Sequence, residues 1–123
     1  MANNVKRHLT CRISDSTVIG ANSEVRENSI IEKSVIGDNC KIGQNVTIKR
    51  CIIWDNTEIH DNCQIEDSLI CDGVIINKNC VIEQGVRLDK NVEVKEGVVI
   101  AKKTLASCRS VVKTPGSIHI EFP

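Results

Sequence analysis

Seven cysteines are the side chains of this 123-residue chain with the most obvious capacity for metal or redox chemistry. They are Cys11, Cys40, Cys51, Cys63, Cys71, Cys80 and Cys108. Their number is odd and no Cys-x-x-Cys motif occurs, which argues against both a disulfide framework and a zinc site. The pattern therefore predicts no metal and no other cofactor. It also favours a reducing compartment, so we expect the protein in the cytosol.

Three histidines, His8, His60 and His119, are the candidates for acid–base chemistry. A zinc site built from three histidines needs them to converge, but only His60 lies within the repeated part of the chain described below. A lone histidine without an inserted loop to cover a substrate is weak support for a general base. No glycine-rich phosphate loop occurs either. We therefore expect no catalytic residues and no enzymatic activity.

The composition limits the kind of core and the kind of partner. Sixteen basic and sixteen acidic residues cancel, so the basic footprint of a nucleic-acid-binding protein is absent. No stretch of about 18 apolar residues predicts a membrane span. Trp54 and Phe122 are the only aromatic residues, which predicts a narrow, aliphatic core.

An aliphatic residue returns along the chain at an almost constant interval. The steps are 6, 6 and 5 residues, three times over, and 6 residues thereafter. The recurring residues are Ile19, Val25, Ile31, Ile36, Ile42, Ile48, Ile53, Ile59, Ile65, Ile70, Ile76, Ile82, Leu88, Val94 and Ile100. A fixed period is the signature of a repeat fold, and three units make one coil. We therefore expect Ile19, Ile36 and Ile53 to stack on one another.

Two further positions follow the same period. A small or β-branched residue lies two places before each recurring aliphatic residue, and in the six-residue units Asn or Gly lies three places after it. Side chains alternate along a strand, so the small residue and the aliphatic residue both point inward. Asn and Gly tolerate the positive φ of a sharp corner. Cys40, Cys51, Cys63 and Cys80 fall at the small inward position, and we interpret them as packing residues.

These patterns predict an all-β fold, a single-stranded parallel β-helix of hexapeptide repeats with about five coils and a short C-terminal extension. We place an N-terminal lead-in at residues 1–10, the β-helix at 11–104 and a C-terminal cap or tail at 105–123. Lys103 takes the Asn or Gly place and Pro115–Gly116 marks a turn, so a cap, an extra strand and a frayed end all stay open for the tail.

The residues that point outward differ among the three faces. One face carries Val18, Val35, Ile52 and Leu69, followed by Arg87. The second carries mainly charges, and the third is mixed. Outward β-branched residues also favour strands by themselves. Four apolar residues in register, with Trp54 at the neighbouring corner, are nevertheless typical of a docking surface. We therefore predict that Val18, Val35, Ile52, Leu69 and Trp54 bind a partner protein.

The segments SDSTVIGANSEV, EKSVIGDNCKIG, IKRCI and SLICDGVII resemble one group of hexapeptide-repeat domains. That group is the C-terminal domain of the gamma and epsilon subunits of eukaryotic translation initiation factor 2B, with sugar nucleotidyltransferases as more distant kin. The resemblance covers about residues 10–100 and is greatest to the gamma subunit, with epsilon next. It implies a left-handed winding, against the general right-handed rule for parallel crossovers.

The same resemblance implies a role in a guanine-nucleotide exchange factor for translation initiation. The chain would be a non-catalytic assembly module that binds other subunits of the exchange factor, epsilon if this is gamma, and translation initiation factor 2 is a further expected partner. The nucleotidyltransferase-like domain and the helical exchange domain of the family are missing from this sequence. Two alternatives stay open: the regulatory or oligomerising tail of a sugar nucleotidyltransferase, and a hexapeptide-repeat acyltransferase.

Overall fold

The computed structural model describes residues 4–103 and, beyond them, the backbone of three further strands. Every element in this part of the chain is a short strand of two or three residues. The strands are β1 (Lys6–Arg7), β2 (Arg12–Ile13), β3 (Val18–Ile19), β4 (Glu24–Val25), β5 (Ile30–Glu32), β6 (Val35–Ile36), β7 (Lys41–Ile42), β8 (Thr47–Lys49), β9 (Ile52–Ile53), β10 (Glu58–Ile59), β11 (Gln64–Glu66), β12 (Leu69–Ile70), β13 (Ile75–Ile76), β14 (Val81–Ile82), β15 (Arg87–Leu88), β16 (Glu93–Val94), β17 (Val99–Ile100), β18 (Leu105–Ala106), β19 (Val111–Val112) and β20 (Ile120–Glu121). No helix long and apolar enough to span a membrane occurs among these residues.

Every third strand joins the same sheet, which gives a prism with three faces. The first face contains β3, β6, β9, β12, β15 and β18, and the third contains β2, β5, β8, β11, β14 and β17. The second face contains β1, β4, β7, β10, β13, β16, β19 and β20. All neighbours are parallel except β19 and β20, which are antiparallel. The predicted parallel β-helix is confirmed, with about six turns where the sequence predicted about five.

The inward positions are those that the repeat predicts. Twelve large side chains, from Ile19 to Leu88, are fully buried and form one aliphatic column. Small polar residues at inward positions link neighbouring coils through hydrogen bonds. The Ser23 hydroxyl donates to the Gly37 carbonyl oxygen at 2.8 Å and accepts from the Cys40 N–H at 3.1 Å. Burying each Ile contributes about 1.5–3 kcal/mol, and adjacent coils share that gain.

Left-handed backbone conformations mark the corners. All eleven Asn and Gly corner residues have a positive φ: Asn22, Asn28, Asn39, Asn45, Asn56, Asn62, Gly73, Asn79, Gly85, Asn91 and Gly97. The three shorter units still turn through a left-handed residue, at Lys33, Arg50 and Asp67. Lys103 also adopts φ 62°, so the corner persists where the Asn or Gly rule stops. Stacked neighbours therefore impose the corner even where the residue type disfavours it.

Strand pairing also involves residues before position 11 and after position 104. Strand β1, inside the expected lead-in, pairs with β4 in register, Lys6 with Glu24. At the other end β18 and β19 continue the first and second faces, and β20 adds an antiparallel strand to β19. A cap, an extra strand and a frayed end were the alternatives for the tail. The described backbone in this region forms extra strands. Cys108, His119 and Phe122 lie outside the described residues.

Candidate partner-binding surface

The predicted apolar residues of the first face stand in one vertical row. Val18 pairs with Val35, Val35 with Ile52, and Ile52 with Leu69, across β3, β6, β9 and β12. We call Val18, Val35, Ile52 and Leu69 the apolar stripe. The first three are 57%, 46% and 49% exposed, whereas Leu69 is half-buried. Arg87 on β15 ends the row. The structure thus brings the four predicted residues together, and the exposed part of the stripe lies toward the N-terminal end.

Trp54 stands at the corner that directly follows the stripe. Its side chain is 52% exposed. Its backbone is fixed, because the Trp54 N–H donates to the Ile70 carbonyl oxygen at 2.9 Å and its own carbonyl oxygen accepts from the Thr57 hydroxyl at 3.0 Å. Gly20 and Gly37 occupy the same corner position in the two preceding coils, so no side chain projects from that position beside Trp54. A fixed backbone with an exposed indole beside an apolar row is the arrangement of an interface anchor.

A ladder of aspartates runs along the same corner. The Asp38 carboxylate accepts the Ala21 N–H at 2.8 Å, and the Asp55 carboxylate accepts the Asp38 N–H at 2.8 Å. Asp72 repeats the contact one coil later, with the Asp55 N–H at 3.2 Å. This ladder was not predicted from the sequence. The ladder stabilises the corner and gives the Trp54 edge of the stripe a negative charge.

The opposite edge of the stripe carries an ion pair between coils. Arg50 donates from Nε to Asp67 Oδ1 at 2.6 Å and from a terminal nitrogen to Oδ2 at 3.0 Å. This hydrogen bonding lowers the pKa of the Asp67 carboxyl below its ordinary range. Both side chains are substantially exposed, so the pair adds little to stability but fixes the shape of this edge.

The residues with a capacity for chemistry do not form a catalytic group. Cys40, Cys51, Cys63 and Cys80 are buried, and their thiols donate to carbonyl oxygens. Burial raises the pKa of Cys51 to about 11, which disfavours the reactive thiolate. Cys71 is partly exposed at a corner, and burial raises its pKa as well. Among the described residues, no group of three or more His, Cys, Asp or Glu side chains is placed to hold a metal ion.

His60 stands at a corner between the second and third faces. Its Nε2 lies 3.8 Å from Glu58 Oε1, and about two-fifths of the side chain is exposed. The depression around it, about 150 Å³ in volume, is lined by Glu24, Arg26, Lys41, Gly43, Glu58, His60 and Asp61. These charges are mixed and partly exposed, and the depression is smaller than a usual ligand pocket. The surroundings of His60 therefore resemble a solvated surface more than a covered active site.

The same fold occurs in solved structures of low sequence identity. A protein of Bacillus cereus described as an acetyltransferase superimposes with a TM-score of 0.77 at 13% identity, over 99% of this chain and 83% of that one. A GDP-perosamine N-acetyl transferase of Caulobacter crescentus gives 0.65 at 13% identity, and this chain spans 57% of its length. A hexapeptide transferase family protein of Anaplasma phagocytophilum gives 0.52 at 9% identity, over 98% of this chain and 81% of that one. These likenesses confirm the left-handed β-helix and show the fold alone.

Sequence comparison identifies the family. No curated protein matches the chain. A family model described as the EIF2B subunit epsilon LbH domain matches residues 1–105, which include the whole apolar stripe and both of its edges. The match agrees with the resemblance to initiation factor 2B and does not separate the gamma from the epsilon subunit. The chain therefore belongs to the EIF2B family of left-handed β-helix domains.

Proposed function

We propose that this chain is a cytosolic subunit-assembly module of the EIF2B complex and is not catalytic by itself. Another EIF2B subunit would dock on the apolar stripe and on Trp54. The observation that carries the proposal is the exposure, in register, of Val18, Val35 and Ile52 beside an exposed Trp54. Tryptophan and adjacent aliphatic side chains provide most of the affinity in many protein interfaces.

The edges of the stripe add chemistry to the proposed contact. Carboxylates of Asp38, Asp55 and Asp72 line the Trp54 edge. The partner would therefore present an apolar strip with basic residues on the side that meets Trp54. Such charged edges mainly direct orientation and association rate, while the buried apolar centre supplies affinity.

The proposal also includes which EIF2B subunit, gamma or epsilon, this chain represents. The run from SDSTVIGA through SVIGDNC resembles the gamma subunit, whereas the matching family model is named for epsilon. We propose gamma, which makes epsilon the direct partner, and initiation factor 2 is a second partner reached through the assembled complex. Capture with separately tagged epsilon and gamma subunits distinguishes the two, because a gamma module would recover epsilon in preference to gamma.

A pull-down from cell extract tests the assembly role. The full chain should recover EIF2B subunits, and the double variant Val35→Glu with Ile52→Lys should lose them. The matched control is Lys41→Glu with Glu58→Lys, which changes two outward charges in the same coils on the second face and should keep full recovery. Circular dichroism of each variant checks that the β-helix is intact.

Three results would contradict this proposal. Recovery of EIF2B subunits by the stripe variant at the level of the control would remove the stripe from the contact. Recovery of a nucleotide-sugar enzyme would favour the tail of a sugar nucleotidyltransferase. A homotrimer in sedimentation, with an acetyl-CoA-dependent reaction that His60→Ala abolishes, would favour an acyltransferase.

A further inference from the structure

Two of the buried cysteines, Cys63 and Cys80, lie directly above one another in the stack. Strands β11 and β14 pair in parallel register, and the two cysteines directly precede the first residues of that pairing. On one side the Gln64 N–H donates to the Cys80 carbonyl oxygen at 3.0 Å. On the corner side the Asn79 N–H donates to the Asp61 carbonyl oxygen at 3.0 Å. The two Cα atoms are therefore one strand spacing apart, about 4.8 Å, which lies within the range of roughly 4.4–6.8 Å that a disulfide bridges.

The fold itself does not require two adjacent cysteines. Among the described residues, no other inward cysteine stands beside a cysteine of the adjoining coil. The neighbours in the column are Ser23 and Thr57 for Cys40, and Ser34 and Ser68 for Cys51. All four inward thiols are only 0% or 1% exposed, so burial does not distinguish the adjacent pair from Cys40 and Cys51. These two cysteines are therefore internal controls for Cys63 and Cys80.

Contact between the two thiols separates their acidities. A hydrogen bond from the Cys63 thiol lowers the pKa of Cys80 to about 7, although burial acts in the opposite direction. The same contact, together with burial, raises the pKa of Cys63 above its ordinary range. Burial raises the pKa of Cys40 and Cys51 too. Cys80 is therefore the inward thiol that most readily supplies a thiolate near neutral pH, and the thiolate is the reactive form.

Both sulfur atoms lie just beneath the corner between the second and third faces. The Cys63 sulfur is 3.1 Å from the Asn77 carbonyl oxygen, and the Cys80 sulfur is 3.1 Å from the Lys95 carbonyl oxygen. A thiol hydrogen rotates, so that of Cys63 serves either this oxygen or the Cys80 sulfur. Asn77 and Lys95 directly follow β13 and β16, and Lys95 is exposed. Local opening of this corner would admit a solute as small as hydrogen peroxide.

We propose that Cys63 and Cys80 form an oxidative modification site, at which hydrogen peroxide converts the two thiols into a disulfide between neighbouring coils. The bond joins the coil of β9–β11 to the coil of β12–β14. It restricts the unfolded chain and so stabilises the stack, and a thiol reductant reverses it. The pair lies at a different corner from the apolar stripe, so a failure of this proposal leaves the proposed assembly role untouched.

The oxidation takes place in two steps. The Cys80 thiolate attacks one peroxide oxygen, the O–O bond breaks, and a sulfenic acid forms as hydroxide leaves and takes up the proton that Cys80 had lost. The Cys63 sulfur then attacks the sulfenic sulfur, the S–S bond forms, and water leaves with the proton of the Cys63 thiol. The two thiols together lose two electrons and two protons, and one peroxide is reduced to two waters.

Oxidation of the folded full chain, followed by peptide mapping, tests the proposal. The reduced chain is exposed to hydrogen peroxide, unfolded in an alkylating reagent and digested, and mass spectrometry then identifies each cysteine as free or cross-linked. The peptide that joins Cys63 to Cys80 should form about tenfold or more faster than Cys40 and Cys51 are oxidised. The midpoint of thermal unfolding should rise by about 5 °C or more. Dithiothreitol should reverse both changes.

Single variants separate the two thiols. Ser29 fills the same inward position in the same column, so Cys63→Ser and Cys80→Ser should keep the β-helix, which circular dichroism checks. Cys63→Ser should leave Cys80 as a sulfenic acid that dimedone traps, whereas Cys80→Ser should leave Cys63 as a free thiol. Cys51→Ser is the matched control, and it should form the cross-link at the rate of the unmodified chain.

Several results would overturn the proposal. Oxidation of Cys40 and Cys51 as fast as Cys63 and Cys80, pairing of either sulfur with a different cysteine, or intact thiols at both positions would each do so. A cross-link that forms only in urea would do so as well, because the folded arrangement would then have no part in it. An unchanged unfolding midpoint in the fully cross-linked chain would exclude the stabilising role.

Discussion

The first and second faces of the prism share one interior and differ in their outward residues. Ile52 and Glu58 hold equivalent outward positions in the same coil, and each precedes a fully buried inward Ile. Their strands pair in the same parallel register with the coils on both sides. The backbone bonds that join the coils have similar lengths on both faces, between 2.8 and 3.1 Å.

The second face therefore acts as an internal control for the first. A row that alternates Glu24, Lys41 and Glu58 supports the same stacking, so coil formation does not require apolar residues outside. Strand propensity alone explains a β-branched residue at such a position, but it does not explain why Val18, Val35 and Ile52 share one face while charged residues fill the equivalent positions of the second. The difference between the faces supports the proposal that the apolar stripe serves binding.

The largest effect should come from breaking the shared interior. Ile53→Asp places a carboxylate in the aliphatic column, where Ile53 is 1% exposed, and should remove about 4 kcal/mol or more of unfolding free energy. Ile52→Asp, one residue earlier on the same strand, should change it by less than about 1 kcal/mol. Urea unfolding followed by circular dichroism measures both variants. A similar loss in both would contradict the separation of inward and outward roles.

The interior could be predicted from the sequence, because the requirement for small and aliphatic residues at inward positions is strict and recurs from coil to coil. Inward positions, corners and strand register all follow from one period, and each coil adds an independent instance of the same rule. The handedness came only from family resemblance, since a period carries no chirality. The structure has about six turns where the sequence predicted about five, because Arg7 and Lys103 keep the backbone pattern after the side-chain pattern stops.

The arrangement of the outward-facing residues could be predicted from the sequence only in part. The sequence placed the stripe in register, but it did not separate half-buried Leu69 from exposed Val18, since exposure depends on neighbouring side chains. The aspartate ladder was missed, because its partners are backbone N–H groups one coil away. Because one partner in each contact is the backbone, the sequence contains no characteristic pair of residue types from which the contact could be predicted.

The next effect concerns the corner that borders the first face. A Cβ on Gly37 would lie 2.7 Å from the Asp55 nitrogen and 2.8 Å from the Trp54 carbonyl carbon, both of which are backbone atoms. Gly37→Ala should therefore lower the unfolding free energy by about 1–3 kcal/mol. Gly97→Ala has φ +75° but no atom within 4 Å of the added carbon, so its cost should be nearer 1 kcal/mol. Thermal unfolding compares the two, and the reverse order would contradict the close approach at Trp54.

A smaller effect should follow when the first face is made to resemble the second. Val35→Glu with Ile52→Lys recreates the alternation of charges found on Lys41 and Glu58. Stability should change by no more than about 1 kcal/mol, because both side chains are about half exposed. Urea unfolding measures the change. A loss of several kcal/mol would mean that the stripe stabilises the coil itself, which would weaken the argument from the second face.

The smallest effect should come from the ion pair at the far edge of the stripe. Hydrogen bonds from Arg50 lower the pKa of Asp67 in the folded chain below its ordinary value of 3.8. The pair therefore stabilises the fold above that ordinary value, and the contribution disappears as the pH falls through the folded-state pKa. Asp67→Asn should slightly lower the unfolding free energy at neutral pH, and the difference from the unmodified chain should vanish in acid and shrink in high salt. Asp15→Asn, at an exposed carboxylate near the same edge, is the control. If Asp67→Asn differed from the unmodified chain equally at all pH values, its effect would come from packing, and the edge would not depend on charge.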